Sequence, residues 1–109
     1  MKRVLYLVLE STDNAFYTLQ ELKKEGYNAT VMSTESLTHA VEYFPEEHHF
    51  FNLRHLEQRE MTASVFCMFV IDEELLAKLK DAIRQLTNDF KDVKGFMFSK
   101  TIEDYEGSI

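Results

Sequence analysis

Hydrophobic positions along the chain fall into two unbroken runs and two periodic stretches. Val4, Leu5, Tyr6, Leu7, Val8 and Leu9 form the first run. Val65, Phe66, Cys67, Met68, Phe69, Val70 and Ile71 form the second, inside a segment spanning 62–71. Short continuous runs rich in β-branched and aromatic residues predict strands that are apolar on both faces. Between the first run and Gly26, Ala15, Phe16, Leu19 and Leu22 recur at helical spacing, with Lys23, Lys24 and Glu25 on the wet side. The polar break at 10–14 supplies N-cap candidates for that helix, and Gly26 suits a left-handed C-terminal cap. Leu75, Leu76, Leu79, Ile83 and Leu86 draw a second helical stripe, with Asp72 as its expected N-cap and Glu74–Lys78 as an i,i+4 pair. Residues 27–33 predict a strand of mixed polarity near a sheet edge. Residues 88–94 form a polar loop, and 95–98 a short last strand before an acidic tail.

The order is β-α-β, a long connection over 34–60, then β-α-β. This predicts one α+β domain over 1–109, a ferredoxin-like βαββαβ sandwich. Two helices cover only one face of a four-stranded sheet. The first and third strands, central in that fold, are apolar on both faces, so one apolar set is left over. The expectation is cover by another copy of the chain, with residues 34–60 folding back as the alternative. Which set meets the helices is left open by the sequence.

Composition narrows the function classes. Nineteen acidic residues against twelve basic ones give a formal charge of −7. That excess argues against nonspecific nucleic-acid or anionic-membrane binding, which needs Lys and Arg to displace counterions. An apolar fraction of 45% with three Gly and one Pro is that of a folded domain. No apolar run is long enough to span a bilayer. The basic start at 1–3 leads into too short an apolar stretch for a signal peptide. The one cysteine, Cys67, forms no internal disulfide, which fits a reducing cytoplasm. Placed mid-strand among apolar residues, its thiol reads as packing.

All four histidines, His39, His48, His49 and His55, fall in the long connection beside Glu42, Glu46, Glu47 and Glu57. Imidazole with carboxylate suits zinc, copper or nickel, so a metal-binding or metal-responsive protein is the alternative reading. No HExxH or Cys/His spacing appears, and no metal ligand is assigned. The same connection interleaves Leu37, Val41, Tyr43, Phe44, Phe50, Phe51, Leu53 and Leu56 with charges. Connections of this length in compact domains are usually functional, and its aromatics suit a partner-docking surface or a local cap.

The segment 25–34, Glu-Gly-Tyr-Asn-Ala-Thr-Val-Met-Ser-Thr, is similar to the helix-to-strand junction of the PII signal-protein superfamily, including its cyclic-di-AMP receptor branch. The ending Gly95-Phe96-Met97-Phe98 resembles that family's last strand. Glu35-Ser36-Leu37-Thr38 stands where the cyclic-di-AMP branch has Gly-Gly-Phe-Leu. The resemblance implies a homotrimer with sheets facing inward. It also implies a small effector, nucleotide or other, bound in clefts between subunits, and a T-loop at 34–60 that a partner protein reads. Carried over residue by residue, Thr30, Ser33 and Thr34 match one side of the cleft, and Lys94 and Gly95 its far wall. The identity of any cofactor is left unknown.

No catalytic constellation emerges. The loop after the first strand, 10–14, is acidic and glycine-free, unlike the phosphate cradle of an acylphosphatase-like site. Glu10, Asp13 and Asp72 are expected at strand ends near one edge of the fold, where paired carboxylates could do acid-base work, but Asp72 already has a capping role. The chain is therefore expected to be a regulator and not an enzyme.

Overall fold

The structure, a computed structural model, describes residues 1–35, 37, 41 and 64–109. The elements are β1 (Lys2–Glu10), α1 (Asp13–Lys24), β2 (Thr30–Thr34), β3 (Ser64–Asp72), α2 (Glu73–Thr87) and β4 (Gly95–Thr101). They build a small α+β fold: one four-stranded sheet in the order β2-β3-β1-β4, with both helices packed on one face. Every neighbouring pair is antiparallel. β1 and β3 are central and β2 is an edge, as the hydrophobic runs implied.

The register settles which apolar set meets the helices. Leu7 pairs with Cys67 on one side and Met97 on the other, and Tyr6 pairs with Met68 and Phe98. Side chains alternate across a strand, so these two rows face opposite ways. Leu5, Leu7 and Leu9 of β1, with Val65, Cys67, Phe69 and Ile71 of β3, form the core with Ala15 and Leu22 of α1 and Leu76, Leu79 and Ile83 of α2. Leu5, Leu7, Leu9 and Cys67 have no exposed surface at all. Burial pushes the Cys67 thiol up to about 11, so it stays protonated and unreactive.

Local chemistry fixes the helix ends. Thr12 is the N-cap of α1, its hydroxyl accepting from Ala15 N–H at 3.1 Å. The helix closes with Gly26 N–H donating to Lys23 C=O at 3.0 Å and Tyr27 N–H to Leu22 C=O at 3.1 Å. This Schellman pair needs the left-handed φ of +98° at Gly26. It also corrects the second strand, expected over 27–33: Tyr27 is spent closing the helix, and pairing begins at Thr30.

Three side-chain expectations are corrected as well. Asp72 is the N-cap residue of α2 by position, yet its carboxylate makes no cap bond and instead holds Lys2 Nζ at 2.8 Å. Phe16 and Leu75, placed on the apolar stripes, are about half exposed. Their places in the core go to Thr18 and Thr87, fully buried because each hydroxyl donates to the carbonyl four residues earlier, Asn14 and Ile83. The ion pair found on α2 is Asp81–Arg84, at 2.6 Å.

Candidate functional site

The strand ends gather Ser33, Thr34, Lys94, Gly95 and Glu10 at one end of the sheet, but not at one point. Asp72, paired with Lys2, lies at the opposite end, so the carboxylate grouping of Glu10 with Asp72 expected near one edge of the fold is not formed. Thr34 pairs with Ser64, and Ser64 with Glu10; Thr34 Oγ1 donates to the Ser64 carbonyl at 3.2 Å. On the far side, Glu10 N–H donates to the Lys94 carbonyl at 2.8 Å, and Gly95 pairs with Leu9. Ser33 and Gly95 therefore lie in one row, Ser33–Val65–Leu9–Gly95, across the whole sheet. Three strand spacings separate them, about 14 Å. Thr30 lies further along β2, opposite Met68, and faces the side away from the helices together with Thr34. Ser33 faces the helix side. Within one copy, then, β2's residues and the Lys94–Gly95 wall occupy opposite edges of the same sheet end.

Gly95 has a steric reason to be glycine. A Cβ there would overlap the Val8 carbonyl oxygen and come within 3.0 Å of Leu9 Cα. The close approach of β4 to β1 thus requires the absent side chain, whatever else Gly95 touches. The loop that precedes it contains a left-handed turn: Asn88, Asp89 and Phe90 have φ of 53°, 55° and 62°. Three consecutive non-glycine residues in that region are costly and must be held by their surroundings. Buried Thr87 does this, its hydroxyl accepting from Phe90 N–H at 3.1 Å while its carbonyl accepts from Asp92 N–H at 3.0 Å. Asp89 and Lys91 N–H are also bonded, to Arg84 and Asn88 carbonyls. The turn is self-satisfied and offers no free amide to an anion.

Among the described residues, the sheet face away from the helices carries a run of partly exposed apolar and aromatic side chains. Tyr6, Val8, Phe66, Met68 and Val70 are half-buried there, and Met32, Phe96 and Phe98 are 53%, 53% and 46% exposed. The Tyr6 ring sits 5.6 Å from Phe66 and 5.0 Å from Phe98, and Phe96 stacks on Phe98 at 6.3 Å. By register, among the described residues charges reach this face only at its ends, through Lys2, Asp72 and Lys100 at one and Glu10 at the other.

On the helix side, an open groove of about 510 Å³ runs between α1 and β2. It borders Thr30 without including it, and it was not foreseen from the sequence. The available signal was Phe16, at the margin of the apolar stripe of α1, and Val31, apolar in a strand of mixed polarity. Burial first, and the Glu25 carboxylate second, push the Tyr27 phenol beside this groove above its usual value, so it remains a neutral hydroxyl. His39, His48, His49 and His55, and most of the 34–60 connection, lie outside the described residues. Among the described residues no group of three His, Cys, Asp or Glu could hold a metal ion, and no helix is long and apolar enough to cross a membrane.

No family model and no curated protein matches the chain. Among solved structures it is similar to a functionally unknown protein from Pediococcus pentosaceus ATCC 25745, with a TM-score of 0.62 and 11% identity over 98% of this chain and 97% of that one. At that identity the likeness shows the fold alone.

Proposed function

We propose that the chain is a trimeric, PII-like regulatory protein on a ferredoxin-like scaffold. It binds a small effector at clefts between subunits and passes the signal to a partner protein through residues 34–60. The order β2-β3-β1-β4, with both helices on one face, supports the split βαβ reading. The observation that carries the oligomer is the second sheet face. Among the described residues this face carries an aromatic cluster with its charges confined to the rim, the make-up that interfaces favour. The effector cleft of this proposal would be built from two sheet edges. Ser33 and Thr34 stand at one sheet edge and Lys94 and Gly95 at the other, so these halves meet only when β2 of one copy approaches β4 of the next. Effector binding then shifts the population of loop conformers that the partner reads.

Light scattering on a size-exclusion column tests this. A trimer is expected for the native chain, with Phe98→Glu dissociating it. A thermal-shift screen of nucleotides should then give a stabilising ligand whose effect Thr34→Ala weakens. A monomeric native chain would overturn the reading, because the cleft would have no second wall.

A further inference from the structure

We propose that the groove between α1 and β2 is a second binding site, complete within one copy, for an apolar-chain carboxylate. Its walls are Phe16 and Leu19 of α1 and Val31 of β2, and Phe69 of the core lies beneath them. Phe16 and Val31 are 54% and 49% exposed, an unusual state for two large apolar side chains facing one cleft. The volume is within the range that holds a small organic ligand, and apolar lining with a few polar groups is the usual make-up of such sites.

The charge of the rim selects the ligand's head. Among the described residues, Lys23 and the amide of Gln20 line the groove and no carboxylate does. Among the described residues the Lys23 ammonium has no carboxylate in ion-pair range. Its neighbour Lys24 is held by Glu21 at 3.1 Å. A cation beside an apolar cleft, with no ion-pair partner among the described residues, complements a ligand with one negative end and a hydrocarbon body. A neutral hydrocarbon would leave the ammonium unused. A dianion such as a phosphate monoester would meet only one cation.

The test uses the full chain labelled with nitrogen-15, titrated with decanoate as the probe. Saturable amide shifts are expected at residues 16–31 and at Phe69, with a dissociation constant on the order of 1 mM or tighter. Lys23→Gln should weaken decanoate at least about fivefold, because a charge-assisted contact is lost, and should leave decanol unaffected. Val31→Glu, which places a carboxylate in the cleft, should abolish binding. The proposal is overturned by an absence of saturable shifts, by shifts centred on Tyr6 and Phe98, or by equal decanoate affinity in wild type and Lys23→Gln. Occupation of the groove by another part of the chain or by a second copy would appear as the first of these. Because the site needs no neighbour, binding is expected whichever mass light scattering gives.

Discussion

The two faces of the sheet are nearly equal in hydrophobicity and opposite in how that hydrophobicity is used. Toward the helices, Leu5, Leu7, Leu9, Val65 and Cys67 are sealed and interlock with two helical stripes. Away from them, Tyr6, Phe66, Phe96 and Phe98 form a cluster of rings that neither helix touches. Aliphatic side chains fill the first face, where shape must match a helix within one chain. The second carries four rings, Tyr6, Phe66, Phe96 and Phe98, beside Val8, Met32, Met68 and Val70, and aromatics are the side chains that interfaces favour. A core is dry within one copy; a face like the second one is left for a neighbouring copy or for residues 34–60 to cover. That difference is the main physical support for an oligomer, and it can be broken by mutation.

The sharpest test sets one residue from each face side by side. Leu7→Ala opens a cavity in a fully buried site and should cost about 3 kcal/mol in urea unfolding, at any protein concentration. Phe98→Ala should cost under about 1 kcal/mol at high dilution, where the ring is half exposed in the single copy, and more as concentration rises and copies associate. Should Phe98→Ala cost as much as Leu7→Ala at every concentration, the second face is packed from within the chain and the contrast between faces collapses.

Gly95→Ala sharpens the same contrast at the border of both faces. The added methyl meets the Val8 carbonyl and the Leu9 backbone, neither of which can move without loosening the β1–β4 pairing. A loss of about 2 kcal/mol is expected, read from thermal or urea unfolding. A stable variant that merely loses effector response would instead place Gly95 in the cleft and remove the steric account.

Much of this architecture is legible in the sequence. The two apolar runs give the central strands, and Thr12 and Gly26 bracket α1 as caps should. What the sequence hides depends on partners remote along the chain. Two apolar sets on each central strand look alike until the register assigns one to the helices. Thr18 and Thr87 read as surface residues until their hydroxyls are seen to bond back to the helix, which makes them fit for the core. The left-handed turn at 88–90 has no glycine to announce it, because Thr87 and the packing of Phe90 hold it from outside. The candidate cleft was legible only as a list: Thr30, Ser33, Thr34, Lys94 and Gly95 share a sheet, but only the topology shows that its two sides lie on opposite edges.

The smallest expected effect comes from the rim, where Lys2 Nζ meets Asp72 at 2.8 Å with both side chains partly exposed. The hydrogen bond with Lys2, then its charge, holds the Asp72 carboxyl below the usual carboxylate value. The same bond with Asp72 raises the Lys2 ammonium above its ordinary value. A depressed acid contributes stability that is present above its unfolded value and is lost as pH falls through the folded one. A raised base contributes stability present below its unfolded value and lost as pH rises through the folded one. The contact should therefore add a shallow plateau to the pH–stability profile, with an acid shoulder below the normal Asp range and a basic shoulder above the normal Lys range. Lys2→Met should remove both shoulders together, and Asp72→Asn should do the same from the other partner, as read from unfolding midpoints across pH. Exposed pairs of this kind are weak, so the change should be far smaller than that of either face mutation. A large effect would mean that the rim is desolvated, which would extend cover of the second face to its charged edge.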